Sequence, residues 1–326
     1  MTTVQTVPVT TEMDGDELDA EDAWHLVRRI GLRQLCVDSF VRFRYADGFT
    51  NSRALAFQIA LSVVPFLLAL SGLAADIDEE RPARVLALTI ERLSPGGGSQ
   101  DALAMAVAGG ATSERAGEIA LTIGLFFSLL SMTTAMAQIE RGTNRIYGIA
   151  RDRKAVQKYG RALVFTAVLA LPVGVAFLLL VAGGSFAAAM QSEYGWSDSF
   201  VLAWNIARWP AGLALLVFTI SLLLDHAPRR RQPALSWLAM GSGLSVTLAM
   251  VATGLLAVYV HASGSFGNIY GPLGGVFALL LWSLLSSIAL FTGAAVCAQL
   301  EFLRAGGVAG APAHDDPGLP PGHVLD

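Results

Sequence analysis

The sequence predicts an all-α membrane protein, a polytopic bundle of about six transmembrane helices, on three observations. Of its 326 residues, 54% are hydrophobic and 15% are charged, against about 25% charged in an ordinary soluble domain. Several stretches of about twenty residues carry no charge, which is the length that a helix needs to cross a ~30 Å hydrocarbon layer. The basic residues gather between alternate stretches, as they do in the cytoplasmic loops of membrane proteins.

The first 45 residues divide into two segments of different character. Residues 1–23 hold seven acidic side chains and no basic one, a composition typical of a solvated, disordered tail. Residues 24–45 have helical periodicity, because Leu26, Ile30, Val37 and Val41 share one face. We therefore expect an amphipathic interfacial helix, lying among the headgroups or packed on the cytoplasmic face of the membrane domain.

The membrane domain is predicted over residues 46–304. After its first span, a loop with charges of both signs has helical spacing at residues 82–93, which predicts a second amphipathic helix. The sixth span would be about 42 Å long as a helix, so we expect it to tilt or to project from the bilayer. Residues 305–326, rich in Gly and Pro, are predicted to be disordered. The predicted spans are residues 54–75, 116–138, 162–182, 209–224, 237–260 and 272–299.

The positions of Lys and Arg predict the orientation of the bundle. Seventeen of the 22 basic residues lie before span one, between spans two and three, between spans four and five, or after span six. The loop at residues 76–115 holds four, and Arg208 lies at a span boundary. Cytoplasmic loops are the ones rich in Lys and Arg, so we expect both termini in the cytoplasm. The basic loops should contact anionic lipid headgroups.

Span five carries a stripe of small residues at every fourth position. Close backbone approach is the main device that holds helices together in lipid, so the stripe predicts a tight helix contact. Packing inside one chain is the favoured interpretation, and the seam of a homo-oligomer is the alternative. The stripe consists of Gly241, Ser245, Ala249, Thr253 and Ala257.

Uncharged polar side chains inside spans one, two and six are the candidate functional residues. Such groups are costly in lipid unless they are satisfied, and Pro65 frees a backbone carbonyl that protein or water must satisfy. They could line a polar pathway between the three spans. The alternative is structural, because Ser and Thr hydroxyls often bond back to their own helix. The candidate pathway residues are Gln58, Ser62, Pro65, Ser131, Thr134, Ser283 and Ser287.

Catalytic chemistry is not predicted. The ionisable residues within or next to the spans, Glu118, Asp225, His226 and Glu301, lie near span ends, where solvation or local pairing is expected. The five histidines are scattered, and the two cysteines form no paired motif, so we predict no metal site and no cofactor. The basic residues line a membrane face, which does not favour nucleic-acid binding. The chain is therefore not expected to be an enzyme.

Four groups of residues, taken in their order along the chain, resemble a known family. They are Asp47 and Gly48 with residues 54–65 in span one, Asn144 to Tyr147 after span two, Trp209 and Pro210 opening span four, and Tyr270 and Gly271 before span six. Over residues 40–303 the chain resembles the YihY/BrkB family of bacterial inner-membrane proteins. It departs from that family's pattern near the ends of spans four and six, where it reads Leu224-Asp225-His226 and Cys297 to Glu301, so no family role is transferred to those positions.

The resemblance implies a multi-pass protein of the bacterial inner membrane. The family has also carried the label ribonuclease BN, which the scattered histidines of this chain argue against. The sequence favours a transporter- or channel-like protein for an unidentified solute or lipid component, and the alternative is a non-transporting envelope scaffold or assembly protein. Asn144 and Tyr147 would anchor at the headgroups or gate a cytoplasmic entrance.

Overall fold

The computed structural model describes residues 7, 9–12, 19–76, 114–149, 151–262 and 274–307, and within these ranges its regular elements are helices. A five-residue π-helical segment, Leu178–Ala182, joins α5 to α6. The helices are α1 (Ala20–Ile30), α2 (Leu32–Tyr45), α3 (Gly48–Asp76), α4 (Glu114–Ile146), α5 (Ala155–Phe177), α6 (Gly183–Tyr194), α7 (Asp198–His226), α8 (Leu235–Ala262) and α9 (Gly274–Arg304).

Six stretches of these helices are long and apolar enough to cross a membrane, which confirms the predicted fold class. They lie in α3, in α4, in the α5–α6 unit, in α7, in α8 and in α9. The unit formed by α5, the π-helical segment and α6 covers 40 residues, twice the length that a span needs. The prediction of a long loop between spans three and four is wrong, because α6 and α7 occupy most of that segment and leave only a turn at residues 195–197.

The N-terminal region differs from the single helix that periodicity predicted. The helix begins earlier, at Ala20, where the Asp19 carboxylate accepts the backbone N–H groups of Glu21 and Asp22. It then breaks at Gly31, whose φ of 88° lies in the region that favours glycine. Two helices result: α1 packs on α8 and α9, and α2 packs on α9 and α3.

The spanning helices form a closed ring in the order α3, α4, α5, α7, α8 and α9, with α9 packed against α3 again. Helix α9 also touches α4 across the ring. The connections after α4 and α7 lie at the same end as α2, since hydrogen bonds join α2 to the end of α4 and that end to the connection after α7. Helix α1 lies there as well, because its Asp22 pairs with Arg304 at the end of α9. This end holds the Lys- and Arg-rich loops, and we call it the basic end; the other is the opposite end.

The basic-end half of the small-residue stripe of α8 packs on α9 within the chain, as the favoured interpretation predicted, whereas the far end of the stripe is exposed. A Cβ atom built on Gly241 would lie 2.4 Å from the Gly293 carbonyl oxygen, and one on Gly293 would lie 2.2 Å from that of Gly241. Ser245 is buried against Gly293. Further along, the Thr253 hydroxyl accepts the indole N–H of Trp282 at 3.1 Å. The two backbones approach so closely because neither contact glycine has a side chain.

Several predicted features fall partly or wholly outside the described residues. They include the helix at residues 82–93, the tail beyond residue 307, and the motif residues Tyr270 and Gly271. Within the segment predicted as an acidic tail, residues 9–12 are described and Thr10 is 3% exposed.

Candidate functional site at the basic end

The predicted pathway residues of α3 and α4 lie on facing sides of two closely packed helices. The Thr134 hydroxyl lies 2.8 Å from the side-chain amide oxygen of Gln58. Nearer the basic end, the Gln138 side chain donates to the Asn51 side chain at 3.0 Å. Gly124 lets the same helices meet beside Pro65, since a Cβ there would lie 2.9 Å from the Pro65 carbonyl oxygen. The seam between α3 and α4 is therefore closed along these contacts.

Several of the predicted hydroxyls bond to their own helix. Ser62 donates to the Ile59 carbonyl at 2.7 Å and Ser287 to that of Ser283 at 2.7 Å, and the Thr134 hydroxyl also reaches the Ser131 carbonyl at 2.7 Å. The Ser283 hydroxyl, by contrast, is buried and has no hydrogen-bond partner among the described residues. Gln58 and Thr134 thus meet between α3 and α4, and Ser283 and Ser287 are buried on α9. We call these residues, with Ser62 and Ser131, the polar layer.

A second group of polar side chains, missed by sequence reasoning as a site, is buried at the basic end. We call it the basic-end cluster, and its members are Arg42, Tyr147, Arg230, Gln299 and Glu301. Arg42 is 2% exposed. Its Nε donates to the side-chain amide oxygen of Gln299 at 3.0 Å, and its Nη1 donates to the backbone carbonyl of Ile146 at 3.0 Å. One side chain of α2 therefore fastens the ends of α9 and α4 together.

Glu301 and Arg230 supply the ion pair of the cluster. Arg230 Nη2 donates to Glu301 Oε2, and the two side chains are 3% and 0% exposed. The Arg230 guanidinium also lies over the Tyr147 ring, 4.7 Å from its centre. Arg230 Nη1 is buried without a hydrogen-bond partner in the described part of the chain, while the Tyr147 hydroxyl acts as a donor toward the Glu301 carboxylate. Unsatisfied groups of this kind are costly when buried, so the cluster has capacity for a further polar contact.

Burial changes the acid–base properties of Arg42 and Tyr147, which lie outside the spanning segments. It lowers the pKa of Arg42 to about 10, although the charge of Glu301 opposes the change. It raises the pKa of Tyr147 well above its ordinary value, and the negative charge of Glu301 acts in the same direction. Tyr147 is fully buried, which rules out the headgroup anchor considered from the sequence, because its hydroxyl cannot reach the membrane surface.

Asn144 connects the cluster to the surface of the basic end. Its side chain donates to Asp152 at 3.0 Å and accepts the backbone N–H of Arg229 at 2.8 Å, so one amide joins α4 to both connections. Lys158 also donates to Asp152, at 3.0 Å. Partial burial raises the pKa of Asp152, but the hydrogen bonds from Asn144 and Lys158 outweigh it, and the net pKa is lowered.

The other motif residues have structural explanations. Asp47 adopts a φ of 55°, a conformation that Asp and Asn tolerate better than most residues, and it turns the chain from α2 into α3. Gly48 leaves room for Phe43, whose ring carbon would lie 2.5 Å from an added Cβ. Trp209 is 43% exposed and Pro210 is exposed on α7, so neither lies in the cluster.

Arg208, which the sequence placed at a span boundary, packs against the π-helical segment. Its Nη1 donates to the Leu179 carbonyl at 3.3 Å, and its guanidinium lies 5.1 Å from the centre of the Trp209 ring. Trp204 donates to the Gly183 carbonyl at 2.9 Å. The wide turns of a π-helix leave carbonyls without their usual partners, and these two side chains of α7 supply donors to them.

Burial is distributed unevenly between the two ends of the bundle. Residues 293–301 of α9 are all buried at the basic end, whereas none of residues 275–282 is buried. In α8, six residues between Trp237 and Val246 are buried, and none of residues 247–260 is. A helix surrounded by lipid on one side normally buries its other face, so the opposite half of α8 packs loosely.

Within the described ranges, no three His, Cys, Asp or Glu side chains are grouped so that they could hold a metal ion.

A sequence model of the family described as virulence factor BrkB matches residues 39–315, and this range contains every member of the basic-end cluster.

Curated relatives are membrane proteins or carry a ribonuclease-like name. The ribonuclease-like protein YfkH of Bacillus subtilis is 26% identical over 262 residues, which cover 80% of this chain and 93% of that protein. A UPF0761 membrane protein of Chromohalobacter salexigens is 28% identical over 79% of this chain and 61% of its own length. One from Pseudomonas aeruginosa is 28% identical over 56% of this chain and 43% of its own length. No solved structure matches the chain.

Proposed function

The chain belongs to the BrkB family of membrane proteins, and we propose that it forms a transporter- or channel-like pathway for an unidentified solute or lipid component. The proposal places it in the bacterial inner membrane with both termini in the cytoplasm. The observation that carries the proposal is the difference in packing between the two ends of the bundle.

In this proposal the basic end is the closed gate of the pathway. Arg42 joins α2 to α4 and α9, and the Arg230–Glu301 pair joins the α7–α8 connection to α9. Polar contacts suit a gate better than apolar packing, because they can be exchanged for contacts with water or solute when the helices separate. The unsatisfied Nη1 of Arg230 offers the first such contact.

The pathway itself would run from the loosely packed opposite halves of α8 and α9 toward the polar layer of α3, α4 and α9. Gln58, Thr134 and Ser283 lie in that layer. The candidate pathway residues are all uncharged, so the layer favours neutral or weakly charged solutes, or part of a lipid, over tightly hydrated ions. An ion would lose hydration there without gaining a countercharge.

Osmotic shrinkage of proteoliposomes tests the proposal with neutral probes. Vesicles containing the protein should re-swell faster than empty vesicles after mixing with glycerol or erythritol. Ser62→Leu with Ser131→Leu should abolish the difference, because the larger side chains fill the polar layer. Ala167→Leu with Ala170→Leu is the matched control, since both alanines are exposed on α5 and should leave the flux unchanged.

Thiol accessibility gives a reading that requires no substrate. In a Cys36→Ser background, Ser62→Cys and Ser131→Cys should each react with a small water-soluble thiol reagent, because water from the opposite end would reach the polar layer. Val168→Cys on the exposed face of α5 serves as the lipid-facing comparison. If neither polar position reacts faster than Val168→Cys and no probe crosses the vesicle, the pathway is excluded and an envelope scaffold is the remaining function.

A further inference from the structure

An apolar groove lies between α7 and α8, on a part of the bundle that the proposed pathway does not use. It is an open surface groove with a volume of about 500 Å³. Ser221 also borders it, but the Ser221 hydroxyl donates to the Val217 carbonyl at 2.9 Å and so is already satisfied. The groove is lined by Leu213, Ala214, Val217 and Phe218 of α7 and by Leu235 and Ala239 of α8.

The groove begins at the basic end, because Leu235 and Ser236 in its wall form the first turn of α8. Three arginines, Arg229 to Arg231, precede that turn. Arg230 points inward to Glu301 and has a side chain only 3% exposed. Arg229 and Arg231 are exposed. Arg229 Nη1 also donates to the Asp152 backbone carbonyl at 3.4 Å. The two surface arginines precede Leu235, the first groove residue of α8, by six and four positions.

We propose that the groove binds an anionic phospholipid, with one acyl chain against α7 and α8 and the phosphate at Arg229 and Arg231. The bilayer supplies a long apolar occupant for an open groove between two spanning helices. Charge complementarity selects the headgroup, since each Lys or Arg near a membrane surface favours anionic lipid. The guanidinium fork of Arg matches phosphate oxygens in pairs, which fixes the headgroup above the groove. This site does not depend on transport.

Titration with lipid, read by native mass spectrometry of the full chain in a neutral detergent, tests the site. Phosphatidylglycerol should bind with a defined stoichiometry and more tightly than phosphatidylcholine of the same acyl chains. Arg229→Gln with Arg231→Gln should weaken phosphatidylglycerol binding about 10- to 30-fold. Arg141→Gln with Arg145→Gln removes the same charge from the exposed basic end and should change the dissociation constant less than twofold.

The acyl-chain half of the site has its own variants. Ala214→Phe fills the groove and should abolish the tight binding, whereas Ala257→Phe, exposed on α8 away from the groove, should not. Ala239→Leu replaces Ala214→Phe if that protein fails to fold. The proposal is overturned if the two lipids bind equally, or if the filled groove binds phosphatidylglycerol as before. It is also overturned if filling the groove dissociates a dimer without changing lipid binding, because a second copy of the chain would then occupy the groove.

Discussion

At the scale of single residues, the basic-end cluster places two arginines and a glutamate where water does not reach them. A buried ion pair adds little net stability, because the desolvation of both charges offsets their attraction. Removing one partner is a different matter, since the remaining charge stays buried without compensation. If Glu301 loses its charge, Arg230 remains as a buried cation without a partner. Arg42 lies close enough to both side chains for its own charge to interact with theirs.

We predict that Glu301→Gln lowers the free energy of unfolding by about 3–5 kcal/mol, the usual cost of breaking a buried pair. Adding Arg230→Met should recover most of that loss, because the uncompensated charge is gone. Asp22→Asn is the control: the Asp22–Arg304 pair is exposed, at 3.5 Å, and such pairs contribute about 1 kcal/mol or less. Chemical unfolding in mixed micelles measures the free energy of unfolding of the natural chain, the two single variants and the double variant. Equal losses for Glu301→Gln and Asp22→Asn would show that the cluster is not buried as described.

A second residue-scale prediction concerns pH. The pKa of Asp152 is lowered in the folded protein, so its ionised form is favoured by folding. The resulting stability is fully present above the ordinary Asp pKa of about 4 and is lost as the pH falls through the lower folded value. Asp152→Asn should therefore destabilise the protein at pH 7. The difference in melting temperature from the natural chain should shrink steadily below about pH 4, and a difference independent of pH would contradict the assignment.

At the scale of helices, the contact between α8 and α9 illustrates what periodicity can and cannot predict. The four-residue repeat of small residues in α8 predicted a packing face, because its spacing lies on one helix alone. Its partner on α9, Ala289, Gly293 and Cys297, has the same four-residue spacing, but the spacing of either repeat does not say which two helices pair. Two other features were missed for a related reason. They are the break of the N-terminal helix at Gly31 and the helical structure, α6 and α7, of the segment predicted as a loop. Their causes, a positive φ and packing against neighbouring helices, leave weak local signals.

The glycine contact predicts a sharp difference between two alanine substitutions. Gly293→Ala would place a methyl group 2.2 Å from the Gly241 carbonyl oxygen, so the helices must separate, and overpacking of this kind typically costs about 1–3 kcal/mol. Gly254→Ala adds the same methyl group to α8 where nothing lies within 4 Å. It should leave the melting temperature unchanged or raise it, because Ala favours helix more than Gly does. Equal destabilisation by both would contradict the contact.

At the scale of the whole molecule, the sequence predicted the number of spans but not the basic-end cluster, and the pathway between spans one, two and six stays a prediction. The length of an apolar stretch and the distribution of basic residues can be read directly from the sequence, so they predict the spans. The cluster depends on residues far apart along the chain: Arg42 and Gln299 are separated by 257 positions. Glu301 looked like an ordinary residue at the end of a span because its burial comes from α2 and the α7–α8 connection. Asn144 and Tyr147 gave the one usable signal, their place in the family motif.

The orientation of the bundle is a whole-molecule prediction that native and introduced thiols can test. Seventeen basic residues at one end predict that this end faces the cytoplasm. The exposed Cys36 lies on α2 at the basic end, so a membrane-impermeant maleimide should label it only after cells are permeabilised. Ser199→Cys in a Cys36→Ser background should be labelled in intact cells, because Ser199 is exposed beside the α6–α7 turn at the opposite end.

The Cys36→Ser chain is the control for this experiment, since its remaining thiol, Cys297, is buried and should stay unlabelled even in permeabilised cells. Labelling of Cys36 but not of Ser199→Cys in intact cells would invert the bundle. The basic end, with its buried ion pair, would then face away from the cytoplasm. An inverted bundle would also move Arg229 and Arg231 to the outer leaflet, where the attraction of the cytoplasmic leaflet for basic segments is absent. The same experiment therefore decides which leaflet could supply the lipid proposed for the α7–α8 groove.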